Sequence, residues 1–184
     1  MSSSERDGRR VADRERPDAS LPRILVWLLA VVAVAQAVYY YPKMPEVMAT
    51  HFGTGGEANG WSGRTEFVIW YGLAEALFLF LGFGIPTLIR RMPAGFVNIP
   101  HREVWLAPPH RERSIADLSV WMLWFSAATL GFLVVTAQFI YTSNLDGGGP
   151  SLSGAYITVL AAFVAVILWL VYLVYRRFGT LPSR

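Results

Sequence analysis

The chain contains no cysteine. Disulfide staples, thiolate metal sites and thiol nucleophiles are therefore excluded, and a count of zero does not report the redox compartment. Charge is scarce as well: Asp, Glu, Lys and Arg make up 16% of the 184 residues, against about 25% in an ordinary soluble domain. The sequence has no Walker loop, dinucleotide fingerprint, nucleophile elbow or metalloprotease helix. It shows no internal repeat and no inverted pair of broken helices of the transporter kind. The net charge is only +3, and the basic residues lie beside apolar stretches. That layout suits anionic lipid head groups and argues against nucleic acid as a partner.

What is present is apolar: 54% of residues are hydrophobic and 14% aromatic. They fall into four blocks, at about 21–41, 67–89, 118–141 and 155–175. A block of roughly 18 or more apolar residues can cross the hydrocarbon core. The sequence thus predicts an all-α, polytopic membrane protein with four transmembrane helices over 21–178, and its first partner is the lipid bilayer. Residues 1–20 are charge-mixed and read as a disordered tail, and 179–184 form a second tail. The first block has an alternative as a signal peptide, because Ala35-Gln36-Ala37 has the form of a cleavage site; the long, partly acidic tail before it and its spanning length argue against that. Thr65 is expected to cap the second helix and Ser114 with Asp117 to form a capping box for the third. Pro86 is expected to loosen the last turn of the second. Ala33 with Ala37, Ala127 with Gly131, and Ala161 with Ala165 carry the four-residue spacing that permits close helix approach in lipid.

Orientation follows from the basic residues. Six lie before or at the start of the first block (Arg6, Arg9, Arg10, Arg14, Arg16, Arg23), and the loop over 90–117 has five (Arg90, Arg91, Arg102, Arg111, Arg113). Three follow the last block (Arg176, Arg177, Arg184), the loop over 42–66 has two (Lys43, Arg64), and the third loop has none. Both termini and the 90–117 loop are therefore expected in the cytoplasm, with 42–66 facing outward from the cell membrane.

The outer loop over 42–66 is long for a helix connection. Pro42 and Pro45 stiffen its start, and its glycines permit tight turns. Val47, Met48, Phe52 and Trp61 are available as apolar anchors, so an ordered extracytoplasmic cap is expected. Its pattern, Tyr41-Pro42 and Pro45, then Thr50-His51-Phe52, then Gly56-Glu57 and Gly60-Trp61, resembles a bacterial membrane domain of unknown function. That domain also forms the N-terminal part of the immunity protein against the sporulation-delaying toxin. The segment from Asn98 to Pro108 resembles the same family. The resemblance implies domain membership and, more remotely, immunity to a peptide toxin or sequestration of a cytoplasmic regulator. The immunity protein continues into a further helical domain, whereas this sequence stops after four blocks.

Three groups could carry chemistry. His51 could ligate a metal with Glu46, Glu57 or Asp146; the plainer reading has its ring on Trp61 and a hydrogen bond to the loop backbone. No ligand set of recognisable spacing is present, so no metal or other cofactor is expected. Glu75 is the one ionisable residue within a block, about 12 Å past Phe67 at 1.5 Å per residue. A carboxylate there is costly unless protonated, paired or wetted, which makes it a proton or ligand site or a hydrogen-bonded strut between helices. Gln36, Thr136 and Gln138 are placed to face it. In the inner loop Arg102, Trp105 and Arg111 read as a lipid anchor or as a docking site for a cytoplasmic partner. The function expected is non-enzymatic: an immunity, signalling or accessory protein that binds something at the outer face through 42–66. The alternative is a small transporter, or a subunit paired with another membrane subunit, using Glu75 as proton relay. An enzyme acting on lipid or peptide ranks third.

Overall fold

A computed structural model describes residues 17–146 and 154–181. The tail readings fall largely on 1–16 and 182–184, which, like 147–153, lie outside the described residues. Five α-helices follow in order: α1 (Ser20–Tyr40), α2 (Arg64–Arg91), the short α3 (Arg102–Trp105), α4 (Pro108–Leu145) and α5 (Gly154–Phe178). Between α1 and α2 lie a 3-10 turn (Tyr41–Lys43) and two strands, β1 (Val47–Phe52) and β2 (Ala58–Gly63). Four helices (α1, with the 3-10 turn that follows it, α2, α4 and α5) are long and apolar enough to cross a membrane. The chain is a multi-pass, essentially all-α membrane protein whose strands make one small hairpin.

Helix α4 is the axis of the bundle, and α1, α2 and α5 each pack against it. The flanking helices show this as stripes. On α1 the buried residues are Pro22, Val26 and Ala33; on α2 they are Tyr71, Glu75, Gly82 and Pro86. Steps of four and seven keep one helical face toward one neighbour. The other faces carry exposed Leu, Ile, Val, Phe and Trp, which lipid solvates. Gly82 marks the tightest crossing: a Cβ there would lie 2.8 Å from the Ser126 hydroxyl, which itself donates to the Phe78 carbonyl at 2.8 Å. At Gly131 the side chain of Leu29 closes the α1–α4 contact, but Ala161 and Ala165 on α5 are exposed. Ala33 is buried on α1, so the small-residue spacing marks interfaces on α1 and α4 and not on α5.

Helix α4 begins ten residues before the apolar block does, because the polar turn around His110–Arg113 is helix-forming without being hydrophobic. Its 38 residues span about 57 Å, well beyond a ~30 Å hydrocarbon core. Ser114 and Asp117 are consequently not a capping box. Ser114 lies inside the helix and donates to the Trp105 carbonyl at 2.8 Å, and Asp117 pairs with Arg177 at 2.8 Å. Thr65 does not cap α2 either; its hydroxyl meets that of Tyr41 at 2.9 Å. Helix α2 runs through Pro86 to Arg91. At the start of α1, the Ser20 backbone N–H bonds Asp18 and holds that carboxyl below the usual range.

The segment from 92 to 107 folds onto the end of the bundle away from the hairpin. Val97, Ile99, Trp105 and Leu106 form a buried cluster with Ile115 of α4 and Phe178 of α5. His101 takes a left-handed backbone (φ 51°) to turn the chain into α3.

Candidate functional site

The hairpin is built from its sequence. Gly56 adopts φ 87° in the turn, a conformation only glycine takes freely. The Gly53 N–H donates to the Glu57 carbonyl at 2.8 Å to close the loop. The Glu57 carboxylate folds back over Gly53 and Gly55, in the space their side chains would need. The pairing Ala49 with Trp61, His51 with Gly60, and Phe52 with Ala58 leaves Thr50 and Asn59 as bulges on opposite strands. Gly60 is required by contact: a Cβ there would lie 2.9 Å from that of His51.

His51 is exposed, and its Nδ1 is hydrogen-bonded to the Asn59 amide oxygen at 2.6 Å. Its partner is thus neither Trp61 nor the backbone. Among the described residues, no three His, Asp or Glu side chains gather as metal ligands. Of the four anchors expected, Met48 is fully buried and Phe52 packs on the same cluster, whereas Val47 (63% exposed) and Trp61 (57% exposed) point away from the bundle. The unforeseen anchor is Ala49. Its N–H donates to the Asn144 side-chain oxygen, and its carbonyl accepts from the Asn144 amide, both at 2.8 Å. Asn144 also bonds the Ile140 carbonyl one turn earlier, which fixes its rotamer. Nothing in the sequence tied Asn144 to a residue 95 positions away.

Directly beneath the hairpin, Met44 and Met48 cover a cluster containing Ala33, Tyr71, Ala137 and Tyr141. Tyr40 stacks on Tyr141 at 4.7 Å, and Phe67 meets the edge of Tyr141. Two polar groups lie within this layer. In the first, Gln36 donates to Gln138 at 2.9 Å and Gln138 donates to the Tyr40 hydroxyl at 2.7 Å. In the second, buried Glu75 has the hydroxyls of Tyr71, one turn earlier, and Tyr141 as its neighbours. The Tyr71 hydroxyl faces the Glu75 carboxyl, and Tyr141 Oη, Thr136 Oγ1 and Gln36 Oε1 are buried without a hydrogen-bond partner. The glutamines thus bind one another and Tyr40, and the stacked Tyr40–Tyr141 pair joins their chain to the Glu75 group.

Residues 28–74 match a domain family of unknown function, DUF1648. An uncharacterized protein of Archaeoglobus fulgidus is 28% identical over 170 residues, 87% of this chain and 85% of its own length. No solved structure matches. The matched segment carries the second half of α1, the whole hairpin and the first turns of α2, and it ends one residue before Glu75. It therefore takes in the hairpin and the aromatic ring layer below it, including Gln36, Tyr40, Phe67 and Tyr71.

At the opposite end, Trp105 is buried and donates its indole N–H to the Phe178 carbonyl at 3.0 Å. Arg111 bonds the Met92 carbonyl at 2.8 Å and reaches those of Ile89 and Arg90, satisfying the last turn of α2. Arg102 donates to the Gly95 carbonyl at 3.1 Å and remains exposed. Of these three residues, Trp105 and Arg111 hold the chain to itself, and Arg102 is the one on the surface.

Proposed function

We propose that the chain is a non-enzymatic receptor or immunity-type protein of the cell membrane, with the hairpin outside and both termini in the cytoplasm. The hairpin is its ligand-receiving cap. The observation that carries this is a contrast within the hairpin: Met48 is buried in the bundle and the backbone edge of Ala49 is fastened to Asn144, while Trp61 and Val47, on the face opposite Met48, are exposed on that fixed scaffold. Exposed aromatic and aliphatic side chains on a rigid element are the usual means of gripping an apolar partner at low entropic cost. An apolar peptide toxin fits that surface, and so does the kinship with toxin immunity that the loop motif implies. The segregation of Lys43 and Arg64 at the hairpin end from Arg90, Arg91, Arg111, Arg176 and Arg177 at the other supports the orientation.

The test is survival of toxin-sensitive bacteria expressing the chain and challenged with the sporulation-delaying peptide. Protection that falls in Trp61→Ala at equal membrane abundance supports the cap. Equal protection by Trp61→Ala, or none from the unaltered chain, contradicts the immunity reading.

A second reading rests on Glu75. A buried carboxyl within a spanning helix, facing the hydroxyls of Tyr71 on the same helix and Tyr141 on α4, suits a proton relay. Proton flux into vesicles reconstituted with the chain, followed by an entrapped pH dye, decides it. Flux lost in Glu75→Gln supports a transporter, and flux unchanged by that substitution contradicts it.

A further inference from the structure

A groove of about 480 Å³ lies between α1, α4 and α5, in the half of the bundle away from the hairpin. Leu25, Trp121, Trp124, Ala128, Trp169 and Leu173 are among its walls, which are almost wholly apolar. It runs along α4 from Trp121 to Ala128 and along α5 from Val166 to Leu173, about 10 Å at 1.5 Å per residue. That length fits within one leaflet of a ~30 Å hydrocarbon core.

Trp121 and Leu173 also line a second hollow, of about 460 Å³, which contains Trp105, Arg176, Arg177 and Thr180. The two cavities therefore adjoin, the first apolar and the second carrying the basic groups. Arg177 is partly committed: it pairs with Asp117 at 2.8 Å and lies over the Trp105 ring at 4.4 Å. Arg176 is exposed and, among the described residues, has no carboxylate partner. Asp117 offsets the charge of Arg177, so the hollow retains the charge of Arg176. A hydrocarbon alone would fill the groove and leave that charge unanswered. A helix from another copy would bring no phosphate to it.

We infer that the adjoining cavities are a binding site for one anionic glycerophospholipid. One acyl chain lies in the tryptophan-lined groove, and the phosphate sits at Arg176, beside Arg177 and the Thr180 hydroxyl. A guanidinium at the membrane surface attracts an anionic head group, and the groove adds selectivity for a lipid presented at that depth.

The full chain in detergent, exchanged with dioleoyl phosphatidylglycerol or dioleoyl phosphatidylcholine and observed by native mass spectrometry, tests this. Phosphatidylglycerol should be retained several-fold better than phosphatidylcholine. Arg176→Gln, an exposed change that leaves the fold intact, should bring the two toward parity. Ala128→Phe, which fills the groove, should reduce retention of both. Equal retention of the two lipids by the unaltered chain would overturn the proposal. So would a preference unchanged by Arg176→Gln, or a dimer that Ala128→Phe dissociates, which would assign the groove to a second copy.

Discussion

Asn144 and Ala49 exchange two hydrogen bonds of 2.8 Å across 95 residues of sequence, joining the end of the central helix to the first strand of the hairpin. The side-chain amide acts as a third strand would, supplying one donor and one acceptor to an edge that otherwise has neither. Asn144→Leu removes both at once and leaves the backbone N–H and C=O of Ala49, which is 1% exposed, unpaired. The cost expected is about 1–3 kcal/mol per stranded group. Thermal unfolding in detergent should shift downward, and trypsin should cut at Arg64 in the folded protein. A variant as stable and as protease-resistant as the unaltered chain would show that Met48 alone seats the hairpin.

Gly82 faces a serine that cannot turn away, because its hydroxyl is held by the Phe78 carbonyl. Gly82→Ala should force α2 from α4 and cost about 1–3 kcal/mol as overpacking. Ser126→Gly in the same chain should recover most of that loss by vacating the space. Additive losses in the double variant, read from unfolding in detergent, would place the strain elsewhere.

Trp105 latches the last turn of α5, with its indole N–H on the Phe178 carbonyl and its ring against Phe178 and Arg177. Trp105→Ala should cost about 3–5 kcal/mol. It should also loosen the end of α5 and open Arg177 to trypsin. The Arg177–Asp117 pair, 30% and 13% exposed, is partly shielded from solvent. A double-mutant cycle with Arg177→Gln and Asp117→Asn should give a coupling of about 1 kcal/mol. A coupling of zero would make the latch purely a matter of ring packing.

The apolar blocks were sufficient to find four spanning helices, because lipid demands length and hydrophobicity and a sequence displays both. They were not sufficient to find the ends. Pro108 starts α4 ten residues before Leu118, since a helix that leaves the hydrocarbon core is free to be polar. The ordered loop over 42–66 was legible in its prolines and glycines, but its strands were not: bulges at Thr50 and Asn59 break the alternation that a strand would otherwise show. Glu75 was legible as a lone acid in an apolar run. Its neighbours were not, because Tyr71 and Tyr141 read equally well as interfacial aromatics, and the glutamines expected to meet it bond each other. Asn144 was missed because one polar residue at a helix end carries no pattern. Trp105 and Arg111 read in the sequence as a lipid anchor or docking site because basic–aromatic clusters so often are, whereas in the fold they close the bundle from within the chain.

The hairpin's position outside the cell is the claim on which the functional account depends. The chain has no cysteine, so single-cysteine variants label without background. Thr54→Cys at the hairpin tip and Thr180→Cys beyond α5, treated in intact cells with a membrane-impermeant maleimide, give the direct measurement. The account predicts that the Thr54 position labels at once and the Thr180 position labels only after the cells are opened. Labelling of the Thr180 position in intact cells, with the Thr54 position protected, would contradict it.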